Sequence, residues 1–262
     1  EIKEAFPNVP IAAISHYSTQ LREKISSESS GNIDYVFHWN GNADIILAII
    51  KLTEDRMNAE KDINEIGVKA ILLVEDSLKF YSKYLPVFYK ILLKQTRSFM
   101  SEGLNAHRTM MLMRGRPKIL LATNYEEGLH LFKQYKNNLL GVISDVSYFR
   151  EGKRDAKAGF HFLKYVRSFK RYFPFLIQSS DSNNEKYALE LKGKFLYKHT
   201  QTLEEEIKNY INQYFSFGDF EFWDPVQMKV LAVAKDLTTF QKALSEVTTD
   251  CIAYHATRSE YS

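Results

Sequence analysis

Cysteine is almost missing: Cys251 stands alone among 262 residues, which excludes an internal disulfide and fits a reducing compartment. An excess of charge of one sign is missing too. The formal net charge is +3, and the basic residues are dispersed through helical patterns instead of forming one stripe, so no nucleic-acid partner is implied. The longest apolar run of the first half, Ile45 to Ile50, falls far short of the roughly 20 residues that a membrane helix needs. Nothing at the start resembles a signal peptide. These absences predict a cytoplasmic protein with no membrane partner. No glycine-rich phosphate loop of either common pattern occurs, which argues against an autonomous kinase, although an aspartyl phosphatase could work without one. His38, His107, His130, His161, His199 and His255 lack metal-ligand spacing and read as surface or packed imidazoles.

What the chain does have is a 45% hydrophobic composition, enough for a sizeable core, at a length that fits one to two domains. Its most informative stretch is Ile71-Leu72-Leu73-Val74-Glu75-Asp76-Ser77, an apolar run that stops at two adjacent acids. Two further runs end comparably: Val142-Ile143-Ser144 at Asp145, and Phe195-Leu196-Tyr197 at Lys198. Continuous Val/Ile/Leu runs mark parallel strands buried on both faces, and ligands collect where such strands end. Three strand ends would therefore bring three carboxylates and one ammonium together, a site for a divalent cation and a phosphoryl group.

The spacing elsewhere supplies the rest of an α/β chain. Residues 9–15 and 35–37 read as strands around a polar helical segment, Thr19 to Ser29. A helix of several turns follows from Asn42, with Gly67 as its end. A complete alternating set comes next. The strands are expected at 69–75, 118–122, 140–144, 175–179 and 194–197. The helices are a long one after Ser77 that could run to Met113 with a weak point at Gly103, then 125–136, 159–172, 184–191 and 202–215. This alternation predicts a doubly wound, five-stranded parallel sheet with all strand C-termini on one edge. The stretch Phe220 to Pro225 reads as a short extended arm and 236–246 as a helix. The expected units are a partial one at 1–66, a complete one at 67–218 and an extension at 219–262. Lacking an initiating methionine, the chain reads as a fragment of a longer protein.

Plainer readings stand beside the sharper ones. Asp76 could cap a helix. Ser179, with Gln178, Ser180 and Asp181 around it, could belong to a simple turn, and Phe195 could be core. Lys153, Arg154 and Lys157 read as a solvated loop, Met110, Met111 and Met113 as helix packing, and Glu204, Glu205 and Glu206 as acids favoured by a helix N-terminus.

This arrangement resembles the receiver domain of bacterial response regulators (the flavodoxin-like fold) over about residues 67–217. The family carries an acidic pair after its first strand, matched by Glu75 and Asp76, and a phosphate-accepting aspartate after its third, matched by Asp145. A hydroxyl residue after the fourth strand is matched by Ser179, and a lysine after the fifth by Lys198. The resemblance implies Mg²⁺ as cofactor, held by Glu75, Asp76, Asp145 and the backbone carbonyl of Ser147, and phosphorylation of Asp145 with Lys198 and Ser179 assisting. It makes Phe195 a switch aromatic. It also implies a sensor histidine kinase or small phosphodonor as partner, with a homodimer possible. Two departures stand out: His199 follows Lys198 where the family usually has proline, and the loop after Asp145 is long. The opening region resembles the back half of another, degenerate receiver, with Ser15 at the hydroxyl position and His38 where the lysine should be.

The whole layout resembles the N-terminal regulatory part of large bacterial proteins related to phosphoenolpyruvate synthase or pyruvate phosphate dikinase. That likeness implies a downstream enzyme domain of the same polypeptide beyond Ser262. The alternative expectation is a pseudo-receiver that never meets a phosphoryl group and serves as an interaction or dimerisation scaffold.

Overall fold

The structure, a computed structural model, describes residues 2–7, 9–16, 33–98, 115–215, 220–224, 229–234 and 252–254. The first part holds a helical turn α1 (Ile2–Ala5), strands β1 (Ala12–Ser15) and β2 (Tyr35–His38), and helix α2 (Asp44–Ala59), which runs on as a π-helical segment (Glu60–Glu65). Next come β3 (Ala70–Val74), α3 (Leu78–Ser98), β4 (Lys118–Ala122), α4 (Tyr125–Tyr135), β5 (Leu139–Asp145), β6 (Tyr148–Arg150), β7 (Lys153–Asp155) and α5 (Ala158–Phe169). The chain continues through β8 (Phe175–Ser179), α6 (Asn184–Glu190), β9 (Lys194–Tyr197), α7 (Leu203–Tyr214), β10 (Phe220–Asp224), β11 (Lys229–Ala234) and β12 (Ile252–Tyr254).

The apolar runs pair as one parallel five-stranded sheet in the order β4-β3-β5-β8-β9. Counted within that sheet the order is 2-1-3-4-5, the flavodoxin-like doubly wound arrangement. Each face is covered because every run is apolar on both sides. Ile71, Leu73, Ile143, Leu176 and Leu196 pack against α3 and α7 through Tyr84, Phe88, Leu92, Ile207 and Ile211. Leu72, Val74, Val142, Phe175 and Ile177 pack against α4, α5 and α6 through Phe132, Phe162, Val166 and Ala188.

Strand β4 lies at the edge of the sheet, and exposed edges invite pairing with other chains. Helix α2 and its π-helical continuation cover it, adding Ile45, Ala48 and Leu52 to one core and Ala59 and Ile63 to the other. Asp55, fully buried, is the joint. It accepts from the Ile119 N–H of β4 (2.9 Å), from Arg116 (2.7 and 3.0 Å) and from the Tyr89 hydroxyl (2.8 Å). Lys118 pairs with Asp62 at 2.6 Å. Gly67 ends the segment with φ +82°, a left-handed turn open to glycine at no steric cost.

The opening strands form their own two-stranded parallel sheet, β1-β2. It rests on α3: the His38 N–H donates to Ser82 Oγ (2.9 Å), the Tyr81 hydroxyl donates to the Val36 carbonyl, and Phe37 meets Tyr81 edge-on. The register revises one expectation. Ser15 is paired with His38, and the Trp39 N–H donates to the Ser15 carbonyl. In the larger sheet Ser179 is paired with Tyr197, and the Lys198 N–H donates to the Ser179 carbonyl. Trp39, not His38, thus stands at the register position that Lys198 holds.

Two regions differ from the sequence expectation. The long loop after Asp145 is a hairpin, β6-β7, closed by Glu151 (φ 52°) and Gly152 (φ 72°). Positive φ at both turn residues is the type I′ geometry that matches strand twist. The extended arm at Phe220–Asp224 is the central strand of an antiparallel sheet in the order β11-β10-β12. The expected helices at 19–29 and 236–246, and the extension through Gly103 to Met110, Met111 and Met113, lie outside the described residues. Among the described residues no helix is long and apolar enough to cross a membrane.

Candidate functional site

Parallel strands bring their C-terminal ends to one rim, and side chains two residues apart share a face. Asp145 is registered against Gln178, and Gln178 against Leu196, so Asp145, Gln178 and Lys198 stand on the same face of the sheet. Glu75 follows β3 two residues after Leu73 and joins them. The ends of β3, β5 and β9 thereby converge. The Lys198 side-chain nitrogen lies 2.6 Å from Glu75 Oε2 and 2.9 Å from Asp145 Oδ2, and the side chain is buried. The Phe80 ring lies under the ammonium at 4.2 Å, adding a cation–π contact in a desolvated setting. The His199 ring packs edge-on against that same Phe80 and against Tyr197.

Glu75, Asp76 and Asp145 each offer a carboxylate oxygen, all within 4.8 Å of one another. Glu75 Oε1 accepts from the Ser77 N–H (3.0 Å), and Asp145 Oδ1 from the Val146 N–H (2.7 Å). Burial pushes both the Glu75 and the Asp145 carboxyls above the ordinary carboxylate range, with the Lys198 charge pulling the other way. Asp76 is buried as well, and its Oδ1 has no hydrogen-bond partner. Buried polar atoms are rarely left orphaned without a functional reason. Closely set hard oxygens, one of them unpartnered, fit a divalent cation such as Mg²⁺.

Asp76 does not serve as a helix cap through Oδ2; that oxygen accepts from Arg154 at 2.7 Å, and the same guanidinium donates to the Ser147 carbonyl at 3.0 Å. Arg154 is exposed, as expected of this loop, and its guanidinium nevertheless reaches the site. Ser179 ends β8 with its hydroxyl accepting from the Asp181 N–H (3.0 Å) and the Asn184 amide (2.9 Å), which is the turn geometry. Phe195 is half-buried on β9 and packs on the opposite face of the sheet, beside the α5 and α6 core. Helix α5 begins close under Asp145: a Cβ on Gly159 would overlap the Asp145 carbonyl oxygen. Gly159→Ala is expected to lower stability by about 1–3 kcal/mol, read as a shifted urea midpoint.

Sequence reasoning missed Arg154, Phe80, Tyr84 and Gln178. Tyr84 and Gln178 are fully buried, and their polar atoms have no partner. Burial, and then the charges of Glu75 and Asp145, raise the Tyr84 hydroxyl well above its ordinary value. Gln178 carried a signal, a lone amide closing the apolar run Phe175-Leu176-Ile177.

No family model matches the sequence, and no curated protein matches it. Among solved structures, a response regulator receiver domain protein from Clostridium thermocellum is similar, at 19% identity over 55% of this chain and 95% of that one, with a TM-score of 0.34. The strand order described above, not this likeness, carries the fold.

Proposed function

We propose that the chain is a signal-transduction receiver module in which Asp145 accepts a phosphoryl group with Mg²⁺ at Glu75, Asp76, Asp145 and the Ser147 carbonyl. The observation that carries this reading is the shared ammonium: Lys198 sits within 2.9 Å of Asp145 at a strand-end rim beside an unpartnered Asp76 oxygen. Phosphoryl transfer needs positioning and charge neutralisation more than covalent help. Bound Mg²⁺ would supply neutralisation of the phosphoryl oxygens, together with Lys198.

The chain's own groups do the rest. An Asp145 carboxylate oxygen attacks the phosphorus of a small acyl phosphate. The new O–P bond forms as the bond to the acetate oxygen breaks, and acetate leaves with the electron pair. Lys198, held by Glu75, stays on the phosphoryl side. Ser179 turns its hydroxyl from Asp181 and Asn184 to a phosphoryl oxygen, and Phe195 moves with the β8–α6 loop. The output is a change of packing read by a downstream domain of the same polypeptide or by a second copy, and the donor is a sensor histidine kinase or a small phosphodonor.

Arg154 on Asp76 favours a second reading, a scaffold locked in one state. Fluorine NMR with beryllium fluoride separates the two. The receiver reading expects a protein-bound fluoroberyllate signal with Mg²⁺, none in chelator and none in Asp145→Asn. Absence of that signal at saturating Mg²⁺ favours the scaffold.

A further inference from the structure

Arg154 is not loosely placed. Its hairpin is tied down by a bridge from Phe149 to Asn124, by the Glu151 N–H on Glu126 (2.9 Å), and by Asp155 on His161 of α5 (2.9 Å). Arg154 and Phe149 are cross-strand partners, with the guanidinium over the ring at 6.0 Å. The fork then reaches Asp76 Oδ2 and the Ser147 carbonyl together. These are two of the oxygens that the receiver reading assigns to the divalent cation. A guanidinium hydrogen-bonded to both puts a positive charge within a few ångströms of that position, and like charges so close repel strongly in a partly desolvated setting. Arg154 is itself 53% exposed, while Asp76 is 1% exposed. The arginine can therefore leave into water at little cost, whereas Asp76 cannot stay unpaired without one cation or the other.

Resting on the receiver reading, we propose that Arg154 is a resident counter-ion of the acidic site, which a divalent cation must displace, so that its side chain swings off Asp76 into water as the metal enters while hairpin β6-β7 stays tied down. Asp76 Oδ1, buried and unpartnered beside the occupied Oδ2, is a ligand atom that no other group of the site already holds. The idle state is then metal-poor without being unstable, and metal entry is coupled to release of the Arg154 side chain.

The test is Mg²⁺ titration by calorimetry on the full chain, with Arg154→Ala and Arg154→Lys beside the wild type. Arg154→Ala is expected to bind Mg²⁺ roughly tenfold more tightly, and Arg154→Lys, which keeps charge but loses the fork, to fall between. Side-chain NMR gives the second readout: saturating Mg²⁺ should move the Arg154 Nε–H resonance to the position of a free, fast-exchanging arginine, and a resonance unmoved by bound Mg²⁺ overturns the counter-ion role. Equal or weaker Mg²⁺ binding by Arg154→Ala, with metal still bound by the wild type, overturns the counter-ion role and leaves the receiver reading standing. No Mg²⁺ binding by any of the three overturns both.

Discussion

Lys198→Met is expected to cost about 3–5 kcal/mol of folding stability above pH 8 in chelator, the largest loss of any single substitution at the rim. The ammonium is buried between Glu75 and Asp145 at 2.6 and 2.9 Å, and removing it strands two desolvated carboxylates. Burial already holds both carboxyls above their ordinary values against the pull of Lys198, and without Lys198 they rise further. The folded variant then holds protons that the unfolded chain releases at about pH 4. Its stability accordingly falls as pH rises through the window between those values. Urea melts should show a small deficit relative to wild type near pH 5, widening as pH rises past about 8, where the wild-type Glu75 carboxyl itself ionises beside Lys198. A deficit independent of pH would mean that the carboxylates find another cation or water.

The second large effect lies away from the rim. Asp55→Ala removes the shared acceptor of Arg116, Tyr89 and the Ile119 N–H, all buried, and is expected to cost about 3–5 kcal/mol. Arg116→Ala should cost less, since Tyr89, the Ile119 N–H and the Lys118 ammonium at 3.8 Å still face Asp55, and the double variant should cost clearly less than the sum because the partners form one network. Native-state hydrogen exchange supplies the local check. The Ile119 amide, now without its acceptor at the sheet edge, should lose protection in Asp55→Ala ahead of the amides of β5. Full additivity of the two substitutions would show that they act independently.

The five-stranded sheet was legible because each strand is apolar on both faces and ends at a charge or a turn. The runs at 118–122, 175–179 and 194–197 coincide with β4, β8 and β9. Hairpin β6-β7 was not legible from hydrophobicity, since Tyr148–Asp155 mixes aromatic and charged residues on an exposed ribbon; only Glu151-Gly152 carried a turn signal. The reach of Arg154 to Asp76, across 78 positions, and of Arg116 to Asp55, across 61, has no trace in local spacing. Strand pairing likewise decided between His38 and Trp39, because a one-residue shift of register exchanges the faces that side chains occupy.

Intact-protein mass spectrometry after incubation with acetyl phosphate tests the central claim most directly. The account predicts a gain of one phosphate that requires Mg²⁺, maps to the peptide holding Asp145, and is absent from Asp145→Asn. A mass unchanged at saturating Mg²⁺ and donor, or a phosphate that persists in Asp145→Asn, would contradict it.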